Sequence, residues 1–374
     1  MKLSWWLLFA ALPLLLMQVG KSRAAEVVGV YALQDPGHPI PDAVLNNPNV
    51  DGVALRYPWF ALERSQGAYN WGPVDREIER DAAHGKKVSI TIGAGRFTPP
   101  WVLNQGVKLY SFAWRMRGAG PCREITLPVP WDPVFMSRWQ DFVRAAGAHY
   151  DANPAIVAVK IQGVQSNSPE LILPRDGPWG GCPNGDRNAN WVRAGYTRQR
   201  VIQTWQTYAN TYAAAFAHKG LVLEITPDGL PPIDDFGRLT GARSDEVGVP
   251  QIIALGMKDY ASRLILQNDG ISAVWNWDLL AHLAPRVAVG YQTVWSATDD
   301  PQCWMNRMVA PCDPATMLRG TVDRAVNAGA SYMEIYLADL QNPALSAIVA
   351  DANRRLMAHA HASDPPTLTS ARDD

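Results

Sequence analysis

The chain has 374 residues, 47% of them apolar and 18% charged, with a formal net charge of -1. That is long enough for one substantial core or two modest ones, and it excludes wholesale disorder, a collagen-like chain and a strongly basic nucleic-acid binder. Fifteen tryptophans are the compositional anomaly; some must fill core, and large flat rings also suit a ligand cleft.

Lys2 precedes an apolar run from Leu3 to Val19, followed by Ser22-Arg23-Ala24. This pattern predicts a secretory signal peptide over residues 1–24, so the mature protein is expected to be secreted or periplasmic. Cleavage there removes three basic groups and leaves 31 basic against 35 acidic residues. No later stretch is both long and apolar enough to span a bilayer. Cys122, Cys182, Cys303 and Cys312 remain, an even number suited to an oxidising compartment, with no C-x-x-C motif. Three pairings are possible; Cys122–Cys182 and Cys303–Cys312 are preferred.

Eight apolar runs read as strands: Val27–Leu33, Gly52–Tyr57, Lys87–Gly93, Ile156–Gly163, Leu221–Thr226, Ile271–Trp277, Val287–Trp295 and Ala330–Leu337. Near-continuous apolar character fits buried parallel strands. Between them lie expected helices at Gly72–His84, Asp132–Tyr150, Arg198–His218, Ile252–Gln267, Pro314–Ala328 and Asn342–Ala360. Asp132-Pro133 combines a helix cap with a first-turn proline, and Phe135, Trp139, Phe142, Val143 and Ala146 share one helical stripe. The economical closure is an α/β fold, a single (β/α)8 TIM barrel over residues 25–361, with a loose tail at 362–374. A doubly wound open sheet is the alternative, but no G-x-G-x-x-G follows the first strand. Long loops after the third and fourth strands, 94–131 and 164–197, belong to the C-terminal face of such a barrel.

The segment VDGVALRYPWFALERSQGAYNWGPVDREIERDAAHGKKVSITIGAGRFTPPWV, Val50–Val102, resembles the second and third βα units of the beta-galactosidase-like clan of (β/α)8 barrel glycoside hydrolases. Gly52–Trp59, Glu63–Trp71 and Thr98-Pro99-Pro100-Trp101 carry the resemblance, and Trp131–Gly163 is similar to the clan's helix and strand before its acid/base residue. The resemblance implies catalytic glutamates at the ends of the fourth and seventh strands. Here the fourth strand runs on through Gly163-Val164-Gln165-Ser166-Asn167-Ser168-Pro169 to a displaced Glu170, and the seventh ends Tyr291-Gln292-Thr293-Val294-Trp295 without a glutamate.

Breaking a glycosidic bond requires a proton for the leaving oxygen and a carboxylate that attacks the anomeric carbon or activates water. Glu170 is the expected general acid. Glu334, in phase with Tyr332 and Tyr336, is the expected nucleophile or base, and Glu224 competes with it, because a charge inside an apolar strand is costly unless it faces a polar interior or a partner. The resemblance implies that Arg56 supports the nucleophile; a structural salt bridge is the other reading. Gln162, Asn276 and Gln292 have the donors and acceptors to bind hydroxyls. Asp35, Asp228 and Asp278 either do likewise or cap turns. Trp59, Trp101, Trp277 and Trp295 are the expected sugar platforms, with Tyr57 and Tyr291 less specific. Seven histidines form no metal motif, Gly93-Ala94-Gly95 is no phosphate loop, and G-x-S-x-G is absent; neither metal nor cofactor is expected. The expected function is an exported glycoside hydrolase acting as a monomer on an oligo- or polysaccharide. A noncatalytic carbohydrate-binding barrel and a structural cell-envelope protein are the alternatives.

Overall fold

The computed structural model describes residues 27–362, except 116–120, 167, 178–181, 183–185 and 275–277. Asn276 and Trp277 therefore lie outside the described residues, as do the side chain of Asp278 and the chain ends expected to form a signal peptide and a tail. Eight parallel strands close into a barrel in chain order: β1 (Gly29–Leu33), β2 (Gly52–Pro58), β3 (Lys87–Gly93), β4 (Ile156–Lys160), β5 (Gly220–Ile225), β6 (Leu264–Ile271), β7 (Ala288–Thr293) and β8 (Tyr332–Tyr336). The TIM-barrel expectation holds. The sixth strand is the exception in detail. LILQNDGI forms it, and the preceding helix stops at Tyr260 rather than running to Gln267.

Helix starts follow local chemistry. Helix α1 (Gly72–Ala83) carries a proline in its first turn. Before α2 (Pro133–Tyr150), Asp132 accepts from the backbone N–H groups of Val134 and Phe135 at 2.9 and 3.0 Å. Thr197 caps α3 (Arg198–Ala215) in the same way. Each satisfies amide donors that a helix start leaves bare. The expected α2 stripe of Phe135, Trp139, Phe142, Val143 and Ala146 is buried.

The main core lies between barrel and helices. A second, smaller cluster of Val27, Tyr31, Val157, Ala158, Val222, Ile265 and Tyr332 plugs the barrel interior. Tyr31 and Tyr332 fit there because their strand neighbours are glycines. A Cβ on Gly52 would stand 2.3 Å from the Tyr31 ring, and one on Gly290 would stand 2.0 Å from the Tyr332 ring. The plug fills the lower barrel, so polar side chains from the upper strand turns meet above it.

The loops that follow β3 and β4 are joined by Cys122–Cys182, and Cys303 bonds Cys312 in the segment after β7, as preferred from the sequence. Among the described residues, no helix is long and apolar enough to cross a membrane.

Candidate active site

Above the tyrosine plug sits a layer of buried charge. Lys160, at the end of β4, reaches Glu224 of β5 at 2.8 Å and Glu334 of β8 at 2.7 Å, and all three side chains are fully buried. Gln162 donates to Glu224 at 3.1 Å and to the carbonyl of Pro169 at 2.7 Å. Gln267 of β6 donates to Glu334 at 3.1 Å and to Asp269 at 2.7 Å, while accepting from the Tyr332 hydroxyl. Burial opposes the Lys160 charge, but Glu224, Glu334 and Asp269 outweigh it and raise its pKa. A buried ammonium between two carboxylates is thus held ionised by its partners.

A cavity of about 350 Å³ opens over this layer, at the C-terminal ends of the strands. Arg56, Glu170, Asp228, Asp269, Gln292 and Tyr336 supply its polar lining. Glu170 arrives there although it lies ten residues beyond β4. The amide of Leu171 donates to the Glu224 carbonyl at 2.9 Å, and Leu171 forms an isolated parallel bridge with Ile225. Ser166 Oγ donates to the Ile172 carbonyl at 2.9 Å. The long loop is therefore stitched to the upper end of β5, with Glu170 half-buried in the lining of the cavity.

Burial, and then the negative charge of Asp269, push the Glu170 pKa up to about 7, with the nearby Ser168 and Thr226 hydroxyls and Lys160 opposing the rise. Asp269 is nearly buried. Burial and then Glu224 hold its pKa well above the usual carboxylate range, against the pull of Lys160. Asp269 Oδ1 accepts from Gln267, while its Oδ2 is buried without a hydrogen-bond partner among the described residues. Four carboxyl groups (Glu170, Asp269, Glu224 and Glu334) thus crowd around one ammonium. Like charges in low dielectric oppose one another's ionisation, and the pKa values of Glu170, Asp269 and Glu224 are all raised.

The sequence-predicted residues divide sharply. Glu170, Arg56, Gln292, Asp228 and Tyr291 line the cavity. Glu224 and Glu334 do not: they lie beneath it in the Lys160 ion pairs, rather than facing Glu170 across the opening. Gln162 is buried under the Glu170 loop and tied to Pro169 and Glu224, so it holds the loop instead of facing a ligand. Trp59 is sealed in the core against Trp101, Phe135, Trp139 and Phe142, its N–H donated to Glu63 at 2.7 Å. It offers no face to a sugar, because hydrophobic packing has claimed both sides. Trp101 is half-buried beside it and donates to the Glu63 carbonyl. Trp295 is half-exposed on the rim, near Trp304 and the cavity-lining Tyr336. Asp35 lies in an exposed turn. Tyr57 is half-buried, with its hydroxyl pKa pushed up to about 12, mainly by burial.

Asp269 is the functional candidate that the sequence reading missed. The signal was present: Leu264-Ile265-Leu266 is a short apolar run, and Asn268-Asp269-Gly270 is turn chemistry at its end. An amphipathic helix continued to Gln267 hid it.

No protein-family model matches the chain, and no curated protein matches it in sequence. Solved structures match by fold. A beta-galactosidase from Marinomonas ef1 superimposes with a TM-score of 0.53 at 10% identity, over 89% of this chain and 60% of that one. Beta-galactosidases from Rahnella sp. R3 and from the haloarchaeon Halorubrum lacusprofundi each give 0.51, at 12% and 11% identity, covering 91% and 88% of this chain and 58% of theirs. What is shared is the (β/α)8 barrel found in these glycoside hydrolases. The chain spans about three fifths of the length of these structures.

Proposed function

We propose that the protein is a glycoside hydrolase acting on an oligo- or polysaccharide, with Glu170 as proton donor and Asp269 as the facing carboxylate. One observation carries this reading: Glu170 and Asp269 line a single cavity at the C-terminal barrel face, and Glu170 is held near neutral pKa. A general acid works best when its pKa lies near the operating pH. Protonated Glu170 would give its proton to the leaving oxygen as the glycosidic bond breaks. Positive charge then develops at the anomeric carbon. That charge favours the ionised form of Asp269. Asp269 then either bonds to the anomeric carbon or takes a proton from an attacking water. This assignment moves the second catalytic role from Glu334 to Asp269. Glu334, Glu224 and Lys160 become the framework that orients it through Gln267. The two disulfides support an oxidising, extracytoplasmic setting.

A noncatalytic carbohydrate-binding protein is the second reading. Gln292, neutral and with a buried Oε1 lacking a hydrogen-bond partner among the described residues, lines the cavity where the resemblance implies a glutamate. The two readings separate in one experiment. Plant, bacterial and host glycans are incubated with the protein, and new reducing ends are measured for the wild type, E170Q and D269N. The hydrolase reading expects wild-type product and a loss of at least about 100-fold in each variant. Binding without product for any glycan would favour the second reading.

A further inference from the structure

Arg96 lies in a short turn, Gly95–Phe97, directly after β3. Gly95 has φ +59°, and a Cβ there would meet the Ser166 carbonyl at 2.5 Å. The turn is therefore pressed against the loop that carries Glu170, and the Arg96 amide donates to Ser166 at 2.9 Å. Ser168, two residues on, lines the cavity. Two residues of chain reach at most about 7 Å, so the Arg96 turn packs on the loop segment that leads into the cavity lining.

The Arg96 guanidinium lies 4.5 Å from the Phe97 ring centroid and 5.6 Å from that of Trp114. Phe60, exposed at 44%, extends the aromatic surface, its ring 6.4 Å from Phe97. Arg96 is half-buried, and its Nε is buried with no hydrogen-bond partner among the described residues. Burial lowers its pKa. No described carboxylate pairs with it, whereas Arg175, Arg198 and Arg355 each have an aspartate. Arg115, beside Trp114, has no carboxylate partner among the described residues either, and the Arg56 guanidinium on the cavity wall donates to the Gln34 carbonyl.

A partly desolvated charge with no counterion among the described residues is costly to keep. Two aromatic faces offset part of that cost. The rest is recovered when a planar anion meets the guanidinium fork. We propose that Arg96, framed by Phe97 and Trp114, forms a subsite for an anionic sugar residue, carrying a carboxylate or a sulfate ester, in a glycan that continues into the Glu170 cavity. The placement of the cleaved bond rests on the hydrolase reading; the anion subsite itself is a matter of binding.

Binding is therefore the test, measured on E170Q to prevent turnover. Three probe sets are compared: uronic-acid oligosaccharides, their carboxyl-reduced neutral counterparts, and sulfated oligosaccharides. The proposal expects at least a ten-fold preference for one anionic set over the neutral one, weakening with added salt. The R96L change should abolish that preference and leave neutral binding within about two-fold, with R96K intermediate. If R96L does not fold, R96Q serves, keeping a polar side chain without the charge. Equal binding of anionic and neutral sets, or a preference that survives R96L, overturns the subsite while leaving the hydrolase reading standing. Absence of binding to every glycan overturns both.

Discussion

At the residue scale, Lys160 is the residue on which the site's electrostatics turn. It is the ammonium between Glu224 and Glu334, and removing it strands two carboxylates in the barrel interior. Breaking a buried pair in this way typically costs about 3–5 kcal/mol. Lys160→Met is expected to lower stability by that order in denaturant unfolding. Adding Glu224→Gln and Glu334→Gln should restore part of the loss, since no charge is then left unpaired. Glu170 makes a different, pH-based prediction. Its carboxyl is raised to about 7, and the donor role uses the protonated form. Turnover should therefore fall as pH rises through about 7, and E170Q should lack that limb in any residual activity. A pH–rate profile of kcat/KM checks this directly.

At the element scale, two elements stand out. The first is β6. Its final turn, with register broken between Asn268 and Ile271 against β7, brings Asp269 over the barrel mouth. Nothing in the helical periodicity of 252–267 marks the break at Tyr260, because apolar residues there satisfy both a helix stripe and a buried strand. Short apolar runs are ambiguous between the two, and Asp269 was lost with the boundary. The loop carrying Glu170 was legible as a loop, but its return to β5 depends on the Leu171–Glu224 backbone bond, a long-range contact that no local pattern encodes. The second element is α1. Asp81 is fully buried there, neither carboxyl oxygen has a hydrogen-bond partner among the described residues, and Arg80 is 3.7 Å away. Burial, and then Glu77, raise its pKa to about 7, with Arg80 and His84 opposing. An unfolded chain loses this proton near the ordinary aspartate value of 3.8, so between those pH values the folded state holds a proton the unfolded state has released. Stability then falls as pH rises from about 4 to 7 and levels off above. Asp81→Asn should flatten this slope, so that its stability relative to wild type improves by about 2–4 kcal/mol between pH 4 and pH 8. Urea unfolding at the two pH values measures it; an unchanged slope would show that Asp81 is ionised in the fold.

At the scale of the whole molecule, the barrel was the most legible feature, because eight apolar runs at crossover spacing leave few alternatives to closure. The cysteine pairing was legible once the fold placed the two long loops on one face. Cys122–Cys182 closes a separation of 60 residues and Cys303–Cys312 one of nine. On loop-entropy grounds the first contributes about 4 kcal/mol and the second about 2.5. The Cys122→Ser/Cys182→Ser variant should accordingly lose more thermal stability than Cys303→Ser/Cys312→Ser. The interior of the barrel was only half legible. Glu224 and Glu334 were correctly read as inward and costly, yet the sequence reading passed over Lys160, the residue that compensates them. With Lys160 in place, its ammonium offsets both carboxylates below the cavity floor, and the proposed chemistry lies above them at Glu170 and Asp269.

The most direct test of that arrangement is the rate of glycosidic bond cleavage by wild type and D269N on a glycan that both proteins bind. The account predicts reducing-end release from the wild type and a loss of at least about 100-fold in D269N at similar affinity. Equal cleavage by the two would contradict it, and would return the second carboxylate role to the buried pair beneath.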